Sequence, residues 1–380
     1  MSELHILNER LKTATTPEEV FGVLIGSKVT QEESIKRLHR TLLRITYVDH
    51  QPEDLKPLAE ETFRLLQDRY DAALYRLEMG VYGTKKAAPK PADASPIPVE
   101  VKSKKGSYTI KKALESTCIS ALYLATTEGK QVILKVTRNP SDNDLAANEL
   151  KAIAAIIKAK PEMQGYFPTV LDHFQLLDNK VKKQASIYPY SKGYYSLAEV
   201  INHYPKGIDI RDAAWMINRI FEGLWATHKA GYAHGAIVPP HILIGANQVV
   251  GDQDHGAIIT EWSYSVPITG DNGHKPYIKA ICPDYKDWYP PEVLTKATPT
   301  PATDIYMAAK TIVKLLGGDP AVNMIPSTVP VKVQGFLRAC LIPALHRRSS
   351  STGTLCDDLK SIWKELFGKR VFRHFVMPMR

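Results

Sequence analysis

One stretch, Lys85 to Pro98, decides how this chain can fold. It reads Lys-Lys-Ala-Ala-Pro-Lys-Pro-Ala-Asp-Ala-Ser-Pro-Ile-Pro. Each proline removes a backbone donor and restricts the residue before it, and the apolar content is too low to build a core. Helix and sheet do not propagate through such a segment, so it reads as an extended tether. The chain is thereby divided into a helical module at 1–80, a linker at 81–106, a strand-rich stretch at 107–185 and a helical one at 186–380. The expected fold class is α+β.

Size and composition bound the rest. A chain of 380 residues holds two, or at most three, domains at roughly 100–200 residues each. No apolar run approaches the roughly 18 residues needed to span a bilayer, so no membrane partner is expected. Met1 to Arg10 lacks the apolar stretch of a secretory signal. Cys118, Cys282, Cys340 and Cys356 are scattered with no Cys-x-x-Cys pair. That argues against a disulfide framework or a zinc site and fits a reducing cytoplasm. The net charge of +9 favours anionic partners. The basic clusters at Lys102, Lys104, Lys105, Lys111 and Lys112, and at Lys369, Arg370 and Arg373, lack interleaved aromatic residues. Base stacking needs such platforms, so solubility is preferred here to nucleic-acid binding.

In the first module Thr30 is the predicted N-cap of a helix starting near Gln31, with Glu33 in the capping-box position. Ile35, Leu38, Leu42, Leu43 and Ile45 give it an apolar stripe, with Lys36, Arg37, Arg40 and Arg44 mostly elsewhere. A second helix is predicted from Leu58 to Arg76, with Phe63, Leu66, Tyr70, Ala73 and Leu74 as its apolar set. Two such helices pack as an antiparallel hairpin. Pro17-Glu-Glu-Val-Phe-Gly-Val, Ile35-Lys-Arg-Leu-His-Arg-Thr-Leu and Ala59-Glu-Glu-Thr-Phe-Arg-Leu-Leu-Gln-Asp-Arg-Tyr resemble a J-domain of the DnaJ type. The resemblance implies a heat-shock chaperone as partner. Where that family carries His-Pro-Asp, this chain carries Tyr47-Val48-Asp49, so Asp49 alone remains of the loop. A helical hairpin used for docking or dimerisation is the competing reading.

Beyond the tether, Ser107-Tyr-Thr-Ile, Ala121-Leu-Tyr-Leu-Ala and Gln131-Val-Ile-Leu-Lys-Val read as three strands. Lys135 interrupts the third. In the following helix Leu145, Leu150, Ile153, Ile156 and Ile157 form an apolar face around Glu149. A lone lysine in an apolar strand and a lone acid on an apolar helix face call for an ion pair. Such a pair pins the helix to the sheet.

From Ser107 to Phe367 the chain resembles the protein kinases. Val132-Ile-Leu-Lys135 stands at the strand-three lysine and Glu149 at the helix-C acid. Ser186-Ile-Tyr-Pro-Tyr resembles the hinge. Ala226-Thr-His-Lys-Ala-Gly-Tyr-Ala-His234-Gly-Ala-Ile-Val-Pro-Pro-His241-Ile-Leu-Ile resembles the catalytic-loop region. Tyr289-Pro-Pro-Glu292 is similar to Ala-Pro-Glu, Thr303-Asp304 to the start of helix F, and Arg348 to the arginine pairing with Glu292. The resemblance implies a bilobal fold with a β-rich N-lobe and a helical C-lobe. It makes Asp304, Glu292 and Arg348 scaffold, and Lys135 and Glu149 a nucleotide site open to ATP.

The chemistry departs from that family. Phosphoryl transfer needs a carboxylate for the attacking hydroxyl, ligands for magnesium and glycines beside the phosphates. His234-Gly235-Ala236-Ile237-Val238-Pro239-Pro240-His241 puts Ala236 at the catalytic Asp, Val238 at the Lys and His241 at the metal-binding Asn. Glu261-Trp262-Ser263 stands for Asp-Phe-Gly, with Glu261 a candidate cation contact, and Glu115, Thr117 and Ser120 replace the loop glycines. The implied protein is a pseudokinase, a scaffold or regulator acting through protein partners, with nucleotide open as its switch. The alternatives are an unconventional ATP-dependent transferase and a chaperone adaptor. His234 is expected to be a packed core histidine, and His241 has no second ligand at metal-site spacing. Trp225, Trp262 and Trp288 are expected in the core or lining a groove.

Overall fold

The computed structural model describes residues 3–22, 24, 28–46, 51–78, 81–84, 100–114, 117–178, 181–247, 256–269, 275–369 and 371–378. The chain is a mixed α/β protein of two compact units, Met1–Pro96 and Ile97–Arg380.

The first unit is helical: α1 (Glu3–Thr13), α2 (Glu18–Phe21), α3 (Lys28–Leu43) and α4 (Lys56–Glu78). Leu7, Leu11, Val20, Phe21, Ile35, Leu66, Ala73 and Leu77 make its core. The buried Asn8 of α1 donates to Thr62 Oγ1 of α4 at 2.8 Å, satisfying a polar group that would otherwise be costly to bury. Arg76 Nε meets Glu18 Oε1 at 2.7 Å, and Gly83 N–H donates to the same oxygen at 2.9 Å. Thr30 lies inside α3 and is not its cap, because Lys28 and Val29 extend the helix upstream. Phe63, expected on the apolar face of α4, is 46% exposed; Ala59, Thr62, Leu66 and Ala73 face inward instead. Tyr47, Val48 and Asp49 lie outside the described residues.

The second unit opens on a sheet of β1 (Glu100–Lys102), β2 (Ser107–Ala113), β3 (Ser120–Thr127), β4 (Lys130–Thr137), β5 (Asp172–Asp178) and β6 (Val181–Pro189). Its order is β1-β2-β3-β4-β6-β5, antiparallel throughout. The sheet begins earlier than the sequence suggested: β1 falls within the stretch read as linker, with Val101 opposite Tyr108 and buried. Period-two alternation turns Val132, Leu134 and Val136 of β4 to one face, in a cluster with Val101, Ala125, Ala185 and Ile187. Lys135 is therefore turned to the other face, toward α5 (Asn143–Ala159).

The remainder is largely helical. β7 (Tyr194–Ser196), β9 (Ile242–Gly245) and β10 (Ala257–Ile259) form one small sheet, and β8 (Tyr232–Ala233) with β11 (Val266–Pro267) another. Around them lie α6 (Leu197–His203), α7 (Ile210–Lys229), α8 (Pro291–Leu294), α9 (Pro301–Leu315), α10 (Val331–Cys340) and α11 (Thr352–Phe367). A capping box between Ser196 and Glu199 starts α6, and the Asp209 side chain caps α7 by accepting from Arg211 N–H. Helix α9 is buried on nearly every face and acts as the post around which the others pack. No helix among the described residues is long and apolar enough to cross a membrane. All four cysteines are free thiols.

Arg348 joins this helical region at its base. Nη1 meets Glu292 Oε1 at 2.8 Å and Ala302 O at 2.9 Å, while Nε and Nη2 donate to Ile342 O and Pro343 O. The guanidinium also lies over Tyr306, 4.6 Å from the ring centroid. Both partners are buried, so removing one strands the other in a low dielectric. Arg348→Ala is expected to cost about 3–5 kcal/mol in denaturant-unfolding free energy. A loss below about 1 kcal/mol would show the pair to be dispensable.

Candidate functional site

Three charged side chains meet beneath the six-stranded sheet. Lys135 Nζ lies 2.9 and 2.7 Å from the two oxygens of Glu149, and 2.7 Å from Glu261 Oε1. An ammonium has three N–H donors, and each has a carboxylate oxygen within reach here. The three residues are 6%, 2% and 5% exposed. Strand β4 supplies the lysine, α5 supplies Glu149, and Glu261 follows β10. Glu149 also accepts from Trp262 N–H at 3.3 Å and Ser263 Oγ at 3.4 Å, so it holds the turn after β10 as well. Glu261 sits in the left-handed region, φ 62°, at a cost on the order of 1–2 kcal/mol for a residue with a Cβ.

The electrostatics are unbalanced. Burial pulls the Lys135 pKa down, but Glu149 and Glu261 outweigh it and hold the ammonium charged above its ordinary range. Burial raises the Glu149 carboxyl; Lys135 opposes this and Glu261 adds to it, leaving Glu149 above the usual carboxylate range. One cation faces two acids, and Glu261 Oε2 is buried without a hydrogen-bond partner.

Beside this cluster runs the loop from His234 to His241, in which Ala236 and Val238 are fully buried. Asp304 of α9 fixes its start by accepting from His234 N–H at 2.8 Å and Gly235 N–H at 2.9 Å. His228 Nε2 completes that carboxylate at 2.9 Å, and its Nδ1 reaches Thr352 Oγ1 at 2.5 Å. Burial would raise the Asp304 carboxyl, but the His228 bond and its other partners hold it below the usual range. Gly235 has φ 78°, and a Cβ there would come within 2.7 Å of Tyr264 O, so only glycine fits this bend.

Both loop histidines are neutral and satisfied. His234 Nε2–H donates to Thr260 O at 2.8 Å while Nδ1 accepts from Ala236 N–H at 3.2 Å, which fixes one tautomer. Trp262 packs edge-on against His234 with centroids 4.6 Å apart, and Phe167 packs on Trp262. His241 Nδ1–H donates to Ala236 O at 2.8 Å, and Nε2 faces Cys282 Sγ at 3.8 Å. Burial pushes both imidazoles down to about 4 and the Cys282 thiol up to about 12.

The structure thus brings Lys135, Glu149 and Glu261 together, seats Asp304 under the loop, and sets Glu292 with Arg348 apart from both. Thr117 and Ser120 close a tight turn through Thr117 N–H to Ser120 O at 2.8 Å and Ser120 N–H to Thr117 Oγ1 at 3.0 Å. Glu115 lies outside the described residues. Sequence reasoning passed over His228 and Cys282; His228 stood inside the quoted catalytic-loop segment, but nothing in its spacing pointed to Asp304.

Three carboxylate oxygens crowd Lys135 Nζ, so a nucleotide phosphate would have to displace Glu149 or Glu261 to reach it, and both His241 nitrogens already face partners. Among the described residues no group of three or more His, Cys, Asp or Glu is placed to hold a metal ion. Surface cavities of about 460 Å³, beside Tyr166 and Trp225, and about 400 Å³, beside Pro301 and Leu345, are not lined by Lys135, Glu149 or Glu261. No protein-family model and no curated protein matches this chain.

The buried histidines impose a pH dependence. In the unfolded chain they bind protons near pH 6.5, in the folded chain only near 4, so unfolding takes up protons between those values. Their contribution is full above about pH 6.5 and is lost as pH falls toward 4. The slope should approach about 1.4 kcal/mol per pH unit for each histidine. Urea unfolding at pH 7 and pH 5 should show the drop, and His241→Asn should reduce it. Equal stabilities at the two pH values would mean the imidazoles are not held neutral.

Proposed function

We propose that the second unit is a kinase-like module that has lost phosphoryl transfer and acts as a scaffold for protein partners. In this reading the six-stranded sheet with α5 is the N-lobe and the region from α6 to α11 the C-lobe. The observation that carries it is the state of the loop at 234–241. A carboxylate must orient the attacking hydroxyl in such chemistry. At that position stands Ala236, its methyl group fully buried. The nearby acids are committed elsewhere, Asp304 to the backbone of His234 and Gly235, and Glu261 to Lys135. On this reading Lys135, Glu149 and Glu261 pin α5 to the sheet and do not serve a nucleotide.

A second reading, an ATP-dependent transferase of altered chemistry, draws support from Glu261 Oε2. A buried carboxylate oxygen without a partner is the kind of atom a cation would satisfy. For the first unit we carry forward helical docking or dimerisation, with chaperone stimulation as the alternative resting on Asp49. Full-length chain that accelerates a heat-shock chaperone ATPase, and an Asp49→Ala variant that does not, would establish the alternative.

The scaffold reading predicts no labelled product from ATP labelled at either the α or the γ phosphate. It also predicts no rise in melting temperature with ATP and magnesium. A ligand at about 100 times its Kd would contribute roughly 2.7 kcal/mol, easily seen in such a scan. Label retained on protein would replace the scaffold with the transferase, and a rise that disappears in a folded Lys135→Ala variant would make the scaffold a nucleotide-responsive one.

A further inference from the structure

Residues 371–378 form neither helix nor strand, yet they are held closely along a groove made by β7, the end of α6, the start of α7 and Asn247. Burial alternates along the segment. Phe375 and Met377 are 3% and 4% exposed, whereas Val376 between them is 61% exposed. Phe375 packs on Tyr204 with centroids 5.8 Å apart.

The groove reads the segment's backbone as well as its side chains. Asn247 N–H donates to Phe375 O at 2.8 Å, and its amide Nδ2 donates to Met377 O while Oδ1 accepts from Met377 N–H, each at 2.8 Å. Tyr204 Oη donates to Val376 O at 2.8 Å and Tyr195 Oη to Pro378 O at 2.7 Å. Asn247 holds a left-handed backbone, φ 57°, a conformation asparagine tolerates better than most residues. Upstream, Arg373 Nε and Nη2 reach the two oxygens of Asp212 at 2.7 and 3.3 Å, with Asp209 at 3.9 Å.

These contacts amount to a peptide-recognition grammar. Backbone atoms are matched irrespective of sequence, alternate side chains enter pockets, and an acidic pair selects a cation. The groove accordingly fits a segment carrying a basic residue with apolar residues two and four positions on. The resident segment lies outside every helix and strand and is joined to α11 past Gly368, while Phe375 and Met377 belong to the main hydrophobic cluster of the second unit, so displacing it would uncover apolar surface without breaking a sheet or a helix.

We propose that this groove is a docking site for partner proteins bearing such a basic-x-apolar-x-apolar segment, and that residues 371–378 occupy it until a partner displaces them. The proposal stands whether or not nucleotide reaches Lys135. An occupant tethered in cis competes at an effective concentration near the millimolar range, which keeps the site closed to weak competitors.

The test uses a fluorescein-labelled peptide with the sequence of residues 369–380 and three full-length chains, read by fluorescence anisotropy. One chain is unchanged, one carries Phe375→Ala with Met377→Ala, and one carries Arg373→Glu, which sets like charge against Asp209 and Asp212 without touching the apolar pockets. Both altered chains should bind the peptide at least about tenfold more tightly than the unchanged chain. A peptide with Phe375→Ala and Met377→Ala should fail on all three. If the doubly substituted chain does not fold, Arg373→Glu alone decides. Equal binding by all folded chains, or none by a folded Arg373→Glu chain, would overturn the proposal. A dimer of the unchanged chain that the peptide dissolves would assign the groove to a second copy and overturn docking of a partner.

Discussion

Lys135 buried between two carboxylates is the interaction on which the second unit turns. It joins a strand in the middle of the six-stranded sheet, the helix packed on that sheet and the turn after β10 at a single nitrogen. Removing charges from water costs several kcal/mol per ion, and a well-packed apolar substitute is often equally stable. The arrangement is therefore better understood as fixing position than as adding net stability. It dictates where α5 lies, and through Glu149 it dictates the path of Glu261, Trp262 and Ser263.

A second node works on the same principle without a lysine. Asp304 takes two backbone N–H groups and an imidazole, so the course of the loop after β8 is set by an acid on α9 and by His228 on α7. Thr352 extends the chain of contacts to α11. Within the loop, His234 Nδ1 accepts from Ala236 N–H and His241 Nδ1–H donates to Ala236 O. Ala236, Ile237 and Val238 are apolar and buried, and the two histidines that flank them are neutral and paired locally.

Much of this was legible in the sequence because the signals were local and strong. The strands around Lys135 announce themselves by β-branched residues in short runs, and a single charge inside such a run demands a partner. Glu149 was the acid that met that demand, whereas the pairing of Arg348 with Glu292 came only from the resemblance to protein kinases and is present in the structure. What was missed depended on distant contacts. Helix α1 turns Leu4, Leu7, Asn8 and Leu11 inward, and these gain meaning from α4 some fifty residues later. Strand β1 is three residues long and follows a proline-rich tether, so only its pairing with β2 defines it. Thr30 satisfied a capping rule but not the helix, since local propensity is easily overridden. Residues 371–378 have no periodicity of either kind, and Asn247 reads as an ordinary turn residue until its three bonds to that segment are seen.

Gly235 ties the loop to its neighbour. Its backbone has taken a bend that no side chain can follow, with a neighbouring carbonyl where a Cβ would stand. Any side chain at 235 would require Tyr264 and the turn Trp262–Tyr264 to move at the same time. That turn is itself held by Glu149 through Trp262 and Ser263, so a single methyl group at 235 would be felt as far away as α5.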